Sequence, residues 1–393
     1  MKVLHIAPTP FFADRGCHIR IFGEINALQE NGAEVELSTY HLGRNIEKIN
    51  TNRTLNIPWY KQLSVGGSWH KLYMDFFLLI VSVIVAIKFK PLLIHGHLHE
   101  GALIAKITSW IVALGNIPVI FDVQGSLTGE LKTYGLLNKN GFIYKIFFKI
   151  EKFICQLPDH IICSSNSNKK FIINDMNIPS ENVTELIDGI HSNNFIEKDE
   201  NKLKKSLGIN KEKVVVYSGS LESSKGVSYF VEAIPQILEK YNNVKFLVIG
   251  YPVEKIKAKA EELKIDKSII FLNKVNFFKL PEYLSIADIA VDPKVDKAGE
   301  GSGKIVNYMG AGLPVVCFDS LNNRNFFDES GVFAKSGDSN DLAEKILLLL
   351  NDEAKCKDLG KRNKIRVEKH FSWNTKGKEL INIYKKVIIK KKK

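Results

Sequence analysis

A chain of 393 residues with 45% hydrophobic and 25% charged residues is too long for one ordinary core and too apolar for disorder, so two or three globular domains are expected. Its five cysteines, Cys17, Cys155, Cys163, Cys317 and Cys356, include no CxxC pair, which argues against a disulfide framework or a zinc knuckle and predicts a reducing, cytoplasmic setting. Of the net charge of +12, residues 1–195 hold little, with 18 Lys and Arg against 16 Asp and Glu, and the closing KKVIIKKKK holds six lysines; a solvated tail, attraction to anionic lipid or phosphate-rich ligands, and nucleic-acid binding are all compatible with that excess.

MKVLHIAPTP lacks the layout of a signal peptide, and KVLHIAPT reads as a buried strand. The stretch from His18 to Gln29 reads as a helix stopped by Asn31-Gly32, and AEVELSTY as the next strand. FFLLIVSVIVAI, residues 76–87, is the longest uncharged apolar run, bounded by Asp75 and Lys88. A bilayer needs about 20 residues, so a buried helix is expected. LLIHGH, PVIFDVQG and HIICSS continue the strands with helical stretches between them.

Within IHGHLHE, residues 94–100, His95, His97 and His99 would share one face of an extended strand. HxH at a strand end is a metal-ligating pattern of some hydrolases, but no DxH or HxxxH follows to complete a site, and no metal is expected. NGFIYKIFFKIEKFI, residues 140–154, places Lys145, Lys149 and Lys152 on one helical face among Phe and Ile. Such a helix can lie on a membrane surface, pack on its own domain, or do both with its two faces.

A second series starts at residue 213: VVVYSGS, VKFLVIG, SIIFL and DIAVDP read as strands, VSYFVEAIPQILEKY and LPEYLSIA as helices. GEGSGKIVNYMGAGLPVV, residues 299–316, has the glycines of a phosphate loop but not its spacing. Ala298 stands where a P-loop opens with glycine, Ile305 follows Lys304 where Ser or Thr would hold magnesium, and GxGxG is not GxGxxG. What remains is a glycine-rich turn entering a helix that ends near Gly310–Gly312, with Pro314 before the strand PVVCF. A helix N-terminus of that kind can receive an anion. Two α/β units joined by the polar IDGIHSNNFIEKDENK predict two Rossmann-like domains facing across a cleft, with ligands at the carboxyl ends of the strands.

The order of these segments resembles a GT-B glycosyltransferase, in particular the retaining, nucleotide-sugar-dependent family 4 (glycosyl transferases group 1). TPFFADRGCHIRIFGEINALQENGAEV resembles the family's N-terminal glycine loop and helix, SGSLESSKGVSYFVEAI its phosphate-binding turn and lysine, LPEYLSIADIAVDP the segment before the donor motif, and GSGKIVNYMGAGLPVV that motif itself. SGVFAKSGDSNDLAEKI and FSWNTKGKELINIYKKV resemble the closing segments. The resemblance implies an acceptor-side domain over residues 1–190, a nucleotide-sugar-binding domain over 191–371, and over 372–393 a helix returning to the first domain with a basic tail.

It also implies roles. Lys225, with backbone NH groups around Gly219 and Ser220, would meet the charge growing on a leaving diphosphate; Gly16 would let the N-terminal loop approach it without a Cβ in the way. Glu300 would face the sugar, with Gly301, Ser302, Gly303 and Lys304 around the donor. Asn307 falls where the family carries a ribose-binding glutamate, one residue short of the usual interval, and can still bond hydroxyls. Ser220 replaces a usual arginine, and Gln124 a histidine thought to contact the sugar. His97 and His99 would line the acceptor cleft. A retaining enzyme of this type is thought to use the leaving phosphate as base, which survives a glutamine, and needs no DxD metal clamp; Asp292 and Asp296, spaced DPKVD, are a weak metal signal. Expected partners are a nucleotide sugar as substrate, with no cofactor, a glycan or lipid-linked acceptor, and an anionic membrane at the inner face of the cell, but no nucleic acid. A metal-dependent hydrolase built on HxHxH, a GT-B nucleotide-sugar epimerase and a non-catalytic nucleic-acid-binding relative stay open as alternatives.

Overall fold

The computed structural model describes residues 1–60, 70–133, 141–191, 200–295, 302–327 and 329–392. The chain forms two compact units, one built on Met1–Asp188 with Trp373–Lys393, the other on Gly189–Asp296 with Ser302–Ser372.

In the first unit the chain runs β1 (Lys2–Ala7), α1 (Gly16–Glu30), β2 (Glu34–Thr39), β3 (Asn50–Arg53), α2 (His70–Phe89), β4 (Leu93–His97), α3 (Leu98–Ala113), β5 (Val119–Val123), α4 (Leu127–Thr133), α5 (Phe142–Gln156), β6 (His160–Cys163), α6 (Asn166–Asn174) and β7 (Val183–Glu185). The strands form one parallel sheet in the order β3-β2-β1-β4-β5-β6-β7. Its central strands read as continuous apolar runs because helices cover both faces. Strand order reverses between β1 and β4, where His5 pairs with His95. Right-handed crossovers put α1 on one face and α2, α3 and α5 on the other. In that second layer α3 packs on both α2 and α5. Strand β3, NTNR, is polar and lies at the sheet edge, which is why no apolar alternation announced it.

The long apolar run corrects an expectation. The helix is 20 residues, long and apolar enough by length and composition to cross a membrane, and only 28% of its apolar window is buried. Met74, Leu78, Ser82, Val85 and Ala86 are its buried residues, while Leu72, Phe76, Ile80, Ile84 and Ile87 are exposed. The charged residues near its start are partnered locally: Lys71 donates to Glu100 at 2.8 Å, and Asp75 accepts from the Tyr40 hydroxyl.

The second unit runs α7 (Glu200–Ser206), β8 (Lys213–Ser218), α8 (Val227–Lys240), β9 (Val244–Ile249), α9 (Glu254–Glu262), β10 (Ile269–Leu272), α10 (Leu280–Ser285), β11 (Ile289–Asp292), α11 (Gly303–Gly310), β12 (Val315–Phe318), α12 (Leu321–Phe326), β13 (Val332–Ala334), α13 (Ser339–Leu350) and α14 (Glu353–His370). Its parallel sheet has the order β10-β9-β8-β11-β12-β13, with the reversal between β8 and β11. Val215, Tyr217, Phe230, Ile234, Phe246 and Val291 form part of a core between this sheet and α8 and α13.

The last helix, α15 (Trp373–Lys392), belongs to the first unit and packs along α1. Two glycines permit the close approach: a Cβ on Gly23 would stand 2.1 Å from the Trp373 indole, and one on Gly377 2.8 Å from the Ala27 carbonyl. The basic end is helical through Lys392 and anchored, Lys391 pairing with Asp159 at 2.7 Å and Lys390 donating to Asn182 at 2.8 Å. These lysines are thus helical and not frayed, while Lys385, Lys386, Lys390 and Lys392 remain exposed to solvent.

Candidate functional site

In the second unit the sheet reversal sets the carboxyl ends of β8 and β11 side by side, the position where open parallel sheets bind ligands. After β8 the chain turns at Gly219, whose φ of +137° only glycine adopts without strain. Gly219 and Ser220 are exposed. Gly250, at φ +154°, has no room for a side chain: a Cβ there would lie 1.8 Å from the Gly219 carbonyl. Lys225 ends the 3-10 turn Ser223–Lys225 just before α8 and is half-buried. Gly226, at φ +73°, presses that turn against β11, since a Cβ would meet the Pro293 carbonyl at 1.9 Å. Glycines thus bring the lysine-bearing turn and both strand ends together.

Lys304, in the first turn of α11, reaches over this turn. Its Nζ donates to the Tyr217 hydroxyl at 3.2 Å, lies 4.4 Å above the Tyr217 ring and pairs with Asp292 at 3.2 Å. A Cβ on Gly219 would lie 3.3 Å from the lysine chain, so the glycine leaves the ammonium room. Asp292, at the end of β11, is fully buried, and neither carboxylate oxygen has a hydrogen-bond partner among the described residues. Lys304 is thus held by charge with spare donors left over. Tyr217 donates to the Ser220 carbonyl at 2.7 Å. The Tyr308 hydroxyl accepts from the Ser218 amide at 2.7 Å, and burial raises its pKa despite the opposing Lys304 ammonium, so it stays a neutral clamp between α11 and β8.

Ser302 is the N-cap of α11, buried, with an Oγ that no described group satisfies, and Gly303 is the first helical residue. The Asn307 amide nitrogen donates to the Gly303 carbonyl at 3.1 Å, one turn back, so its carbonyl oxygen is left for other partners. Glu300 and Gly301 lie outside the described residues.

In the first unit the reversal between β1 and β4 carries a buried polar cluster. Arg20 of α1 donates to both oxygens of Asp122 at 3.0 Å from Nε and at 2.7 Å from a terminal nitrogen, to Asp188 at 2.6 Å, and pairs with Glu24 at 3.1 Å. His97 Nδ1 is 3.1 Å from Asp122, and its Nε2 is 2.9 Å from His5 Nδ1. The rings of His5, His95 and His97 stack, and Tyr384 of α15 bonds His95 Nδ1. Burial alone would raise Asp122, but Arg20 and the hydrogen bonds from His97 and Arg20 outweigh it and hold the carboxyl well below its usual range. Burial lowers His5, His95 and His97, so the three imidazoles are neutral. With Asp122 ionised, His97 carries its proton on Nδ1, and Nε2 accepts from His5. Burial, then Asp122, raises Glu24 well above the carboxylate range despite Arg20.

The HxHxH stretch needs two corrections. His99 does not share a face with His95 and His97: β4 ends at His97, Leu98 takes φ +60°, and His99 enters the first turn of α3 against Phe121, 3.4 Å from Glu151. One earlier and one later element do bring further ligand types to the histidines, since ligating atoms of Glu24, His95, His97 and Asp122 all lie within 4.8 Å of one another. Sequence spacing missed them because Glu24 comes from a helix and Asp122 from another strand. The Arg20 guanidinium occupies Asp122 and pairs with Glu24, and the proton of His97 points at Asp122, so the cluster reads as an ion-pair network tying α1, β4 and β5 together. His97 and His99 are both buried. Gln124 donates to Asp122 at 2.9 Å. Gly16 opens α1 with nothing within 4 Å of a would-be Cβ.

Comparison with known proteins bears on these geometries. Residues 199–366 match the family model of glycosyl transferases group 1. The chain is 25% identical over 390 residues to the capsular polysaccharide biosynthesis glycosyltransferase CapM of Staphylococcus aureus, covering 92% of each chain. Among solved structures it resembles HepE of Anabaena in complex with UDP and glucose, with a TM-score of 0.78 at 16% identity over 98% of this chain and 100% of that one. It also resembles the sucrose-phosphate synthase of Thermosynechococcus elongatus, with a TM-score of 0.81 at 18% identity over 99% and 100%. The α/β fold with two parallel sheets is the GT-B fold, and the likenesses support glycosyltransferase activity. They do not favour the hydrolase or the epimerase.

Proposed function

We propose that the chain transfers a sugar from a nucleotide-sugar donor to a hydroxyl of a glycan or lipid-linked acceptor, with retention of configuration, as a metal-independent family 4 enzyme of polysaccharide biosynthesis. The observation that carries this reading is the second unit's Gly219–Ser220 turn, where Lys304 is held beside exposed backbone by a buried Asp292 at the ligand-binding end of the sheet. The departing diphosphate develops negative charge as the glycosidic bond breaks, and a preorganised cation stabilises that charge without moving. The N-terminus of α11, with the unsatisfied Ser302 Oγ, adds helix amide donors. Where the resembling family has an arginine at Ser220, Lys304 supplies a cation over the same turn, and Lys225 a second from the turn before α8. Asn307 meets a ribose hydroxyl through its free carbonyl oxygen. In this reading the leaving phosphate takes the acceptor proton, the first unit holds the acceptor, and Gln124 contacts the sugar. The setting is the cytoplasm at the inner face of the membrane, with basic α5 against anionic lipid.

Calorimetry with UDP-, GDP- and ADP-sugars tests the donor assignment. One of them binds, and Lys225→Ala or Lys304→Ala each weakens that binding by about tenfold or more, the worth of a charge-assisted hydrogen bond. No binding to any donor overturns the assignment, and unchanged affinity in a variant removes that lysine from the site. Product formed only with acceptor present separates transfer from epimerisation, and full activity after chelation separates it from metal-dependent hydrolysis.

A further inference from the structure

Beyond the carboxyl ends of β2 and β3 the first unit gathers aromatic side chains around two buried polar atoms. Tyr40 and His41 follow β2 directly, Thr54 follows β3, and α2, which runs from the carboxyl end of β3 toward the start of β4, begins there at His70. The Tyr60 ring lies 5.0 Å from that of His70, 6.5 Å from that of Tyr73 and 6.3 Å from that of His41, centroid to centroid. Hydrogen bonds fix the group. The His41 amide donates to the Thr54 hydroxyl at 2.9 Å, His41 Nε2 donates to the Tyr60 carbonyl at 3.1 Å, and the Tyr73 hydroxyl lies 2.7 Å from His70 Nδ1. Arg53 holds the loop after β2 by donating to the Tyr40 and Leu42 carbonyls at 3.0 and 2.7 Å.

Two atoms of this group are left over. A carbonyl only accepts, so His41 Nε2 carries hydrogen, and Nδ1 of the neutral ring is an acceptor. That Nδ1 is buried with no hydrogen-bond partner among the described residues, and so is the Tyr60 hydroxyl, a donor on a side chain only 6% exposed. A buried polar atom left unpaired costs about 1–3 kcal/mol, which a bound ligand recovers. One donor and one acceptor beside aromatic faces match a sugar ring, whose hydroxyls both give and accept and whose C–H faces are apolar. A lipid phosphate fits less well. Of the two cations acting on the Tyr60 hydroxyl, Lys71 and Arg15, the first donates to Glu100 at 2.8 Å and is faced by Asp75 and Glu130 as well, so the cluster carries no cationic excess.

We propose that Tyr60 and His41 determine acceptor specificity: the Tyr60 hydroxyl and His41 Nδ1 hold hydroxyls of a sugar ring lying against the Tyr60–His70–Tyr73 aromatics, so that the acceptor is recognised as a carbohydrate and not by a phosphate. The inference rests on the sugar-transfer reading for what becomes of that ring, and it narrows the acceptor to one read through its sugar, lipid-linked or not. It also moves the acceptor contacts away from His97 and His99, which are buried.

Saturation-transfer NMR on the full chain tests the assignment, with the methyl pyranosides of glucose, galactose, mannose and N-acetylglucosamine as sugar probes and decyl phosphate as the phosphate probe, beside calorimetry with the nucleotide sugars. The variants are Tyr60→Phe, which keeps the ring, and His41→Gln, whose amide can still donate to the Tyr60 carbonyl; circular dichroism and thermal unfolding matching the parent show that they fold. The expected result is that at least one pyranoside binds, that each variant weakens it by about fivefold or more, and that donor affinity stays at the parent value. Absence of pyranoside binding overturns the proposal, as does pyranoside binding that either variant leaves unchanged. Decyl phosphate binding in place of the sugars, weakened by both variants, overturns it in favour of a phosphate. Pyranoside and donor affinity falling together in a folded variant assigns a merely structural role and overturns it equally. A parent that binds a pyranoside as expected but no nucleotide sugar leaves the sugar site standing and removes only the transfer reading.

Discussion

Individual buried side chains decide how the first unit responds to pH. His5, His95 and His97 are held below their ordinary 6.5 by burial, so below that pH the unfolded chain binds protons that the folded chain refuses. Each ring therefore withdraws stability as the pH falls. Glu24 and Asp188, raised by burial, act with the opposite sign, because the folded state keeps protons the unfolded state gives up. The three rings therefore withdraw stability as the pH falls below 6.5, and the two carboxyls offset part of that loss. The three imidazoles should keep neutral-form NMR shifts from pH 8 down to the onset of acid unfolding; protonation of His97 near pH 6.5 in the folded chain would refute the network. Little of this cluster was legible in the sequence. The HxHxH spacing pointed at the right strand, but one residue of turn at Leu98 sends His99 elsewhere, and Arg20, Glu24 and Asp122 became partners only through helix packing and strand order. Lys304 was legible from its motif, whereas its counter-ion Asp292 showed only as half of a weak DPKVD signal.

At the scale of elements, periodicity located most strands and helices, because buried parallel strands are apolar throughout and their helices are capped by Asn-Gly or Gly turns. It failed where composition and burial part company. Strand β3 is an edge strand of polar residues held by its backbone, and α2 carries more apolar surface than its packing uses. The return of the last helix to the first unit was implied by resemblance, but its fit against α1 depends on two glycines, Gly23 and Gly377. Gly23→Ala would drive a methyl to 2.1 Å from the Trp373 indole, and an overpacked contact of this kind costs about 1–3 kcal/mol. The expected result is a lower denaturation midpoint, with much of the loss recovered when Trp373→Phe reduces the ring. No loss for the single variant, or no recovery in the double, would show that α15 is not seated as described.

For the whole molecule, the two reversed parallel sheets each have a core of their own, and α15 crosses in sequence from the end of one unit into the other. The double α/β series was readable from the order of segments; the return of the last helix to the first unit came from resemblance alone, because its buried positions Trp373, Leu380, Tyr384 and Val387 are interleaved with lysines. These side chains cover α1, and Tyr384 closes the histidine cluster at His95. Ending the chain after Ser372 removes four large buried side chains from the first unit and none from the second. Losing one such side chain typically costs 2–5 kcal/mol, so losing all four exceeds a large part of the roughly 5–15 kcal/mol that stabilises an ordinary domain. Calorimetry on the truncated chain should then show the first unit's transition lost or far below its parent temperature, while the second unit's survives and still rises with the bound nucleotide sugar. Joint loss of both transitions would mean that the second unit's stability also depends on α15, and an unchanged pair would mean that α15 contributes nothing to the first core.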